Sequence, residues 1–185
     1  MSILRDIYSY KLDFVKRQKL NLSLSDIIDE SCKNKYKKEN SFSKKLIEEK
    51  NKKISIIGEL KRASPSAGNI SDYNTDLTRI AKTYEENHIS CISILTDEKY
   101  FKGSNDDLIK IRKNINLPIL RKDFIIDEYQ IYESKVYQAD VILLIVSILS
   151  DNQLKKFLEI AIDINLDCII EAHDENEIKR ALKLN

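Results

Sequence analysis

The chain has 185 residues, 42% hydrophobic and 33% charged, with a formal net charge of +1. That is enough apolar material for one sizeable core. The balanced charge gives no global field that points to nucleic acid or a membrane surface, and the longest apolar run, residues 141–146, is far too short to span a bilayer.

The abundance of lysine, isoleucine and asparagine reads as the bias of an AT-rich genome. Cys32, Cys91 and Cys168 have no metal-ligand spacing. Cys91 and Cys168 lie in apolar runs and read as buried thiols of a reducing compartment. Residues 1–6 lack an apolar signal core, so the expectation is a soluble cytoplasmic protein.

Residues 1–50 read as a charged, helical N-terminal extension. Ile3, Ile7, Tyr10 and Phe14 recur at helical spacing, with Val15 beside them. A second helix is expected to start in residues 23–26, and Phe42, Leu46 and Ile47 form a further apolar stripe. Both signs of charge throughout argue against a membrane anchor.

The pattern then changes to strand and helix in alternation over residues 51–185. The expected strands are residues 54–60, 89–95, 117–120, 140–146 and 167–172. The expected helices are residues 75–87, 104–114, 127–138, 150–165 and 174–184. Ser104 with Asp107, Asp127 with Gln130, Ser150 with Gln153 and Asp174 with Glu177 stand at helix-start spacing. Strand four is apolar throughout, as expected of a parallel strand buried on both faces. Five βα units in succession predict an α/β fold with a parallel sheet. Two wirings compete, a doubly wound open sheet and a (β/α)₈ barrel. No Gly-x-Gly-x-x-Gly and no Walker loop follow strand one, and the chain holds three glycines in all, which disfavours the doubly wound nucleotide site.

In barrels the chemistry sits at the C-terminal ends of the strands. Those ends carry Glu59 and Lys61, then Thr96, Asp97 and Glu98, then Arg121, Lys122 and Asp123, then Ser147, then Glu171 and His173. Glu59 and Lys61 are two apart, so a strand puts them on one face. That spacing fits a structural ion pair as well as a catalytic one. Taken alone, Lys122 reads equally as a solvated lysine and Glu171 equally as a helix N-terminal charge. His173 reads as a helix-start or surface residue, and His88 as closing a helix. If the strands are parallel and adjacent, Glu59, Lys61, Lys122 and Glu171 converge, and such a cluster supplies an acid and a base near neutral pH.

At this point the residues resemble a family. Residues 57–68 (IGELKRASPSAG), 93–104 (SILTDEKYFKGS) and 117–127 (LPILRKDFIID) are similar to the signatures of indole-3-glycerol phosphate synthase. Residues 139–146 (ADVILLIV) and 170–175 (IEAHDE) continue the match in the same order, and the helical extension is also a family feature. The resemblance implies a (β/α)₈ TIM barrel of tryptophan biosynthesis. Its reaction closes the ring of 1-(2-carboxyphenylamino)-1-deoxyribulose 5-phosphate with loss of carbon dioxide and water, without metal or organic cofactor. It implies that Lys122 is the general acid and Glu171 the general base. Glu59 would orient and tune the lysines. Lys61 would hold a substrate anion and contribute to the acid role. Ser64 would lie beside the substrate, and Phe101 and Phe124 would wall the pocket for its aromatic ring.

The expected partner is a small phosphorylated substrate, with no nucleic acid and no membrane. Fusion to, or complex with, other enzymes of tryptophan biosynthesis is compatible with the resemblance. The family's later signatures, including the glycine-rich phosphate loop, do not occur in these 185 residues. The expectation is therefore a C-terminally truncated barrel with about five of its eight βα units, read first as a fragment of a longer open reading frame. The competing readings are an inactive remnant or half-barrel module that needs a partner chain, and a lysine Schiff-base aldolase.

Overall fold

The computed structural model describes residues 3–34, 42–49, 54–72 and 74–184. The polar run expected ahead of strand one, residues 51–53, lies outside the described residues.

Three helices come first: α1 (Ile3–Asn21), α2 (Leu24–Lys33) and α3 (Phe42–Glu49). Then follow β1 (Ile57–Leu60), a hairpin of β2 (Ala63–Ser64) and β3 (Gly68–Asn69), α4 (Leu77–Glu86), β4 (Cys91–Leu95), α5 (Glu98–Phe101) and α6 (Asn105–Arg112). The chain continues as β5 (Ile119–Lys122), α7 (Glu128–Val136), β6 (Val141–Ile145), a 3-10 turn (Val146–Ile148), α8 (Asp151–Asp163), β7 (Asp167–Glu171) and α9 (Glu175–Ala181).

The main sheet runs β1-β4-β5-β6-β7, so its strands stand in chain order. β1 pairs parallel with β4, and β4 with β5. A doubly wound sheet reverses its order at a switch point. This order does not reverse, which selects barrel wiring among the two expected.

The chain forms two compact units. One contains Lys37–Asp123 and Tyr137–Val141; the other contains Met1–Tyr36, Phe124–Val136 and Ile142–Asn185. In the first, Leu60, Ile92, Ile94 and Ile119 share a core with Leu77 and Ala81 of α4 and Leu108 and Ile111 of α6. Asp76 starts α4 by accepting the N–H groups of Thr78 and Arg79. In the second unit, Ile142, Leu144 and Val146 pack with Leu154, Phe157 and Ala161 of α8. α8 opens with the expected capping box of Ser150 and Gln153. Val15, Ile27 and Tyr129 join α1, α2 and α7 in a further cluster. Asn34 donates to the carbonyls of Lys135 and Val136 at 2.8 and 3.1 Å, satisfying the last turn of α7.

Several expectations shift. Strand one begins at Ile57 rather than residue 54, and Ile54 is 87% exposed, because β1 ends the sheet order. Strand three is displaced by two residues to Ile119–Lys122, so Arg121 and Lys122 belong to the strand. A buried partner for the Arg121 side chain makes this possible; polar residues alone suggested a loop. The buried stripe of α1 is Ile7, Lys11 and Val15, while Ile3 is half-exposed. Lys11 takes its place there with its ammonium 5.0 Å from the Phe14 ring centroid. Cys91 is buried as expected, but Cys168 is only partly covered on β7. Gln130 does not complete a box with Asp127: its side chain accepts the Ile126 N–H and donates to the Phe124 carbonyl, both at 2.9 Å.

Gly103 closes the loop after β4 by donating to the Asp97 carbonyl at 2.9 Å. A Cβ at Gly103 would stand 2.0 Å from the Leu95 carbonyl oxygen, which belongs to the strand and cannot swing aside. A Cβ at Gly58 would stand 2.6 Å from the Tyr84 ring, but that side chain is only partly buried and can turn. We expect Gly103→Ala to cost roughly 1–3 kcal/mol as an overpacked substitution and Gly58→Ala less, read from urea midpoints of the two variants.

Candidate active site

β1 delivers Glu59, and Lys61 follows its end. The Lys61 Nζ donates to Glu59 Oε1 at 2.6 Å. The pair is about one-third exposed on each side (36% and 33%), so it contributes little to stability and leaves both groups reachable by solvent and ligand.

Lys122 is the last residue of β5 and pairs in register with Leu95. Glu59 pairs with Ser93, and Ser93 with Leu120. Side chains alternate along a strand, so Lys122, two residues beyond Leu120, points to the same face as Glu59. One face of this three-strand segment therefore presents Glu59, Lys61 and Lys122. Ser93 stands on it too. Its hydroxyl is buried and has no hydrogen-bond partner among the described residues. Buried hydroxyls are normally satisfied, so this one is available to a bound molecule.

Two loops frame that face. Ser64 lies in β2, where its hydroxyl accepts the Ala67 N–H at 3.1 Å, and Gly68 turns the hairpin at φ 65°. Phe101 ends α5, the short helix that Asp97 caps, and is partly buried. Both elements lie between the strands and helices expected from the sequence.

Arg62 ties the first loop to α6. Its guanidinium donates to Asp107 Oδ2 at 2.6 Å and Oδ1 at 2.9 Å, and to the Lys102 carbonyl at 3.3 Å. Burial raises the Asp107 carboxyl. The hydrogen bonds from Arg62 and Ser104 and the charges of Arg62 and Lys110 outweigh it and hold the group below its ordinary value of 3.8. A carboxylate whose folded value is depressed stabilises above the unfolded value and loses that contribution as pH falls through the folded one. We expect wild-type stability to decline as the pH drops below about 4. In Asp107→Asn this part of the decline is expected to disappear, as checked by urea midpoints across that range.

In the second unit, Glu171 ends β7. His173 Nε2 lies 3.4 Å from Glu171 Oε1, and the His173 backbone N–H donates to Glu177 at 2.8 Å. His173 is largely exposed, as expected of a helix-start residue. Phe124 is partly buried two residues after β5. Among the described residues no group of three or more His, Cys, Asp and Glu side chains is placed to hold a metal ion. No described helix is long and apolar enough to cross a membrane.

Sequence reasoning named Glu59, Lys61, Ser64, Phe101, Lys122, Phe124 and Glu171. It did not single out Ser93, or Arg62 with Asp107. Ser93 was detectable as a polar residue within an otherwise apolar strand. The Arg62 pair was not, because 45 residues separate its partners.

Parallel strands in chain order, with acidic and basic side chains gathered at their C-terminal ends, define an enzyme fold of the barrel type. Solved structures agree on the fold. A mandelate oxidase matches with a TM-score of 0.53 at 9% identity, over 71% of this chain and 46% of that one. MenC from Desulfotalea psychrophila matches with a TM-score of 0.51 at 13% identity, over 77% of this chain and 38% of that one.

Sequence comparison is more specific. The indole-3-glycerol phosphate synthase of Clostridium kluyveri is 47% identical over 182 residues, covering 98% of this chain and 68% of the relative. That of Leuconostoc mesenteroides is 43% identical over 184 residues, covering 99% and 69%. That of Acetivibrio thermocellus is 55% identical over 130 residues, covering 70% and 50%. The family profile described as indole-3-glycerol phosphate synthase matches residues 4–185. The chain belongs to the indole-3-glycerol phosphate synthase family, carboxy-lyases of tryptophan biosynthesis.

Proposed function

We propose that Lys122 is the general acid and Glu171 the general base of ring closure, decarboxylation and dehydration of 1-(2-carboxyphenylamino)-1-deoxyribulose 5-phosphate. The observation that carries this reading is the common face of Glu59, Lys61 and Lys122 at successive strand ends. An ammonium on that face protonates the substrate carbonyl oxygen as the ring carbon attacks. Lysine suits the step because it rests as a cation and yields a proton when the acceptor's basicity rises.

Lys61 holds the substrate carboxylate and shares the acid role. Glu59 is bonded to it and sets its direction, and also takes part in moving the dehydration proton. Glu171 accepts the proton whose loss accompanies departure of water. Ser64 and the unpartnered Ser93 hydroxyl bond the substrate's polar groups, while Phe101 and Phe124 wall its aromatic ring. The site acts in the cytoplasm on a small phosphorylated molecule, apart from nucleic acid and membrane, and is compatible with fusion to or complex with other enzymes of tryptophan biosynthesis.

The test is formation of indole-3-glycerol phosphate by the wild-type chain, Lys122→Ala and Glu171→Gln. Turnover by the wild type and its loss in both variants is the expected result. Turnover unaffected by both substitutions would overturn the assignment. No turnover by the wild-type chain would favour a half-barrel module that acts with a partner chain.

A further inference from the structure

We propose that Thr96, Arg121 and Asp123 form a positioning device for Lys122. The proposal rests on the reading of Lys122 as the acid. Side chains alternate along β5, so Arg121 and Asp123 flank Lys122 in sequence but leave the strand on the opposite face. There they meet Thr96, the residue just past the end of β4. The Thr96 hydroxyl donates to Asp123 Oδ2 at 2.8 Å and accepts from Arg121 Nε at 3.3 Å. Arg121 Nη2 lies 3.6 Å from the same Asp123 oxygen. The Thr96 backbone N–H donates to the Lys122 carbonyl at 3.2 Å. One threonine thus holds three consecutive residues at the end of β5, with Lys122 in the middle.

The burial of this triangle is unusual for its chemistry. Thr96, Arg121 and Asp123 are 3%, 1% and 4% exposed. The Arg121 guanidinium lies 5.6 Å from the Tyr137 ring centroid. A buried ion pair is weak evidence for stability, because apolar residues of the same volume often do as well. What the triangle adds is direction. The β4–β5 register ends at Leu95 and Lys122. Past that point one further backbone bond, from Thr96 to Lys122, is joined by the side-chain bonds at the residue that must aim an ammonium. Misplacement of a reacting group by about 1 Å costs on the order of 100-fold in rate, so a fixed strand end has a catalytic use that packing does not explain.

The decisive variant is Thr96→Val, which keeps the shape and removes the hydroxyl, with Thr96→Ser as the conservative rescue. Two readings are taken on the full chain: kcat and KM, and the rate of acetylation of Lys122 relative to Lys61, measured on peptides by mass spectrometry. The second needs no turnover. In Thr96→Val we expect kcat to fall about tenfold or more with KM within about twofold, and Lys122 acetylation to change while that of Lys61 does not. Thr96→Ser is expected to restore both. A lowered urea midpoint with unchanged kcat and unchanged Lys122 acetylation would reduce the triangle to a structural element and overturn the proposal. If Lys122→Ala keeps wild-type turnover while Thr96→Val still alters Lys122 acetylation, the acid assignment fails and the positioning stands. Should Thr96→Val not fold, Asp123→Asn removes the charge at constant volume and gives the same two readings.

Discussion

Lys122→Ala is expected to lower kcat by about 100- to 10,000-fold, the range in which a positioned general acid contributes. KM should change far less, because Lys61 remains to hold the substrate anion. The sharper variant is Lys122→Arg. A guanidinium keeps the positive charge but does not give up a proton in a protein. If Lys122 serves only as a charge, Lys122→Arg should retain most of the rate. If it donates a proton, Lys122→Arg should be nearly as slow as Lys122→Ala, with KM close to wild type. Steady-state kinetics on the three proteins at one pH separate the cases. Glu171→Gln belongs in the same series: it preserves shape and removes the base, and its loss should again fall on kcat.

The second large effect concerns stability. Asp140 ends the connection into β6 and is 2% exposed. Its Oδ2 accepts Arg112 Nη1 at 2.9 Å and the Ile119 N–H at 2.8 Å. Arg112 also donates to the carbonyls of Ile115 and Leu117 at 2.6 and 3.0 Å, so the pair closes the turn between α6 and β5. Asp140→Ala takes the counter-charge from a buried guanidinium and the acceptor from a strand N–H together. Breaking one partner of a buried pair costs about 3–5 kcal/mol, against a total of about 5–15 kcal/mol for an ordinary domain. Urea denaturation followed by circular dichroism should show a large drop in midpoint, or no folded baseline. Asp140→Asn keeps an acceptor for Ile119 and should cost less. The double variant Arg112→Met with Asp140→Ala should cost less than the two single losses added, since no charge is left without its partner. Additive losses would show that the pair is not the coupled unit described.

These two sites mark how far sequence reasoning reaches. The βα alternation is legible because apolar runs of five or six residues, such as 141–145, stand between helix-start pairs such as Ser150 and Gln153. The choice of wiring is not legible in periodicity, since both doubly wound sheets and barrels are built from the same units; the motifs shared with the synthase family pointed to the barrel. The sheet order agrees with them. Glu59 and Lys61 are readable because their period of two is a local property of a strand. The position of β5 is misread by two residues because Arg121 and Lys122 look like loop residues until Thr96 and Asp123 are brought beside them. Lys11 goes unnoticed for a similar reason: a lysine at a core position of α1 is explained only by what packs on it. Charged residues with distant partners are where local patterns carry least information.

The unit that contains α1, α2 and α7 is discontinuous along the chain, and that sets an order of events during synthesis. Lys19 reaches Asp127 at 2.7 Å across 108 residues, and Asn34 bonds the Lys135 carbonyl of α7 across 101. At roughly 5–20 residues per second on the ribosome, α1 and α2 wait for about 5–20 s before their partner helix exists. Through that interval Val15 and Ile27 have each other but not Tyr129 of α7 to bury against. Residues 54–123, by contrast, meet their β4 and β5 partners early. The middle of the chain is therefore free to condense before the N-terminal helices have α7 to pack on, although they are made first.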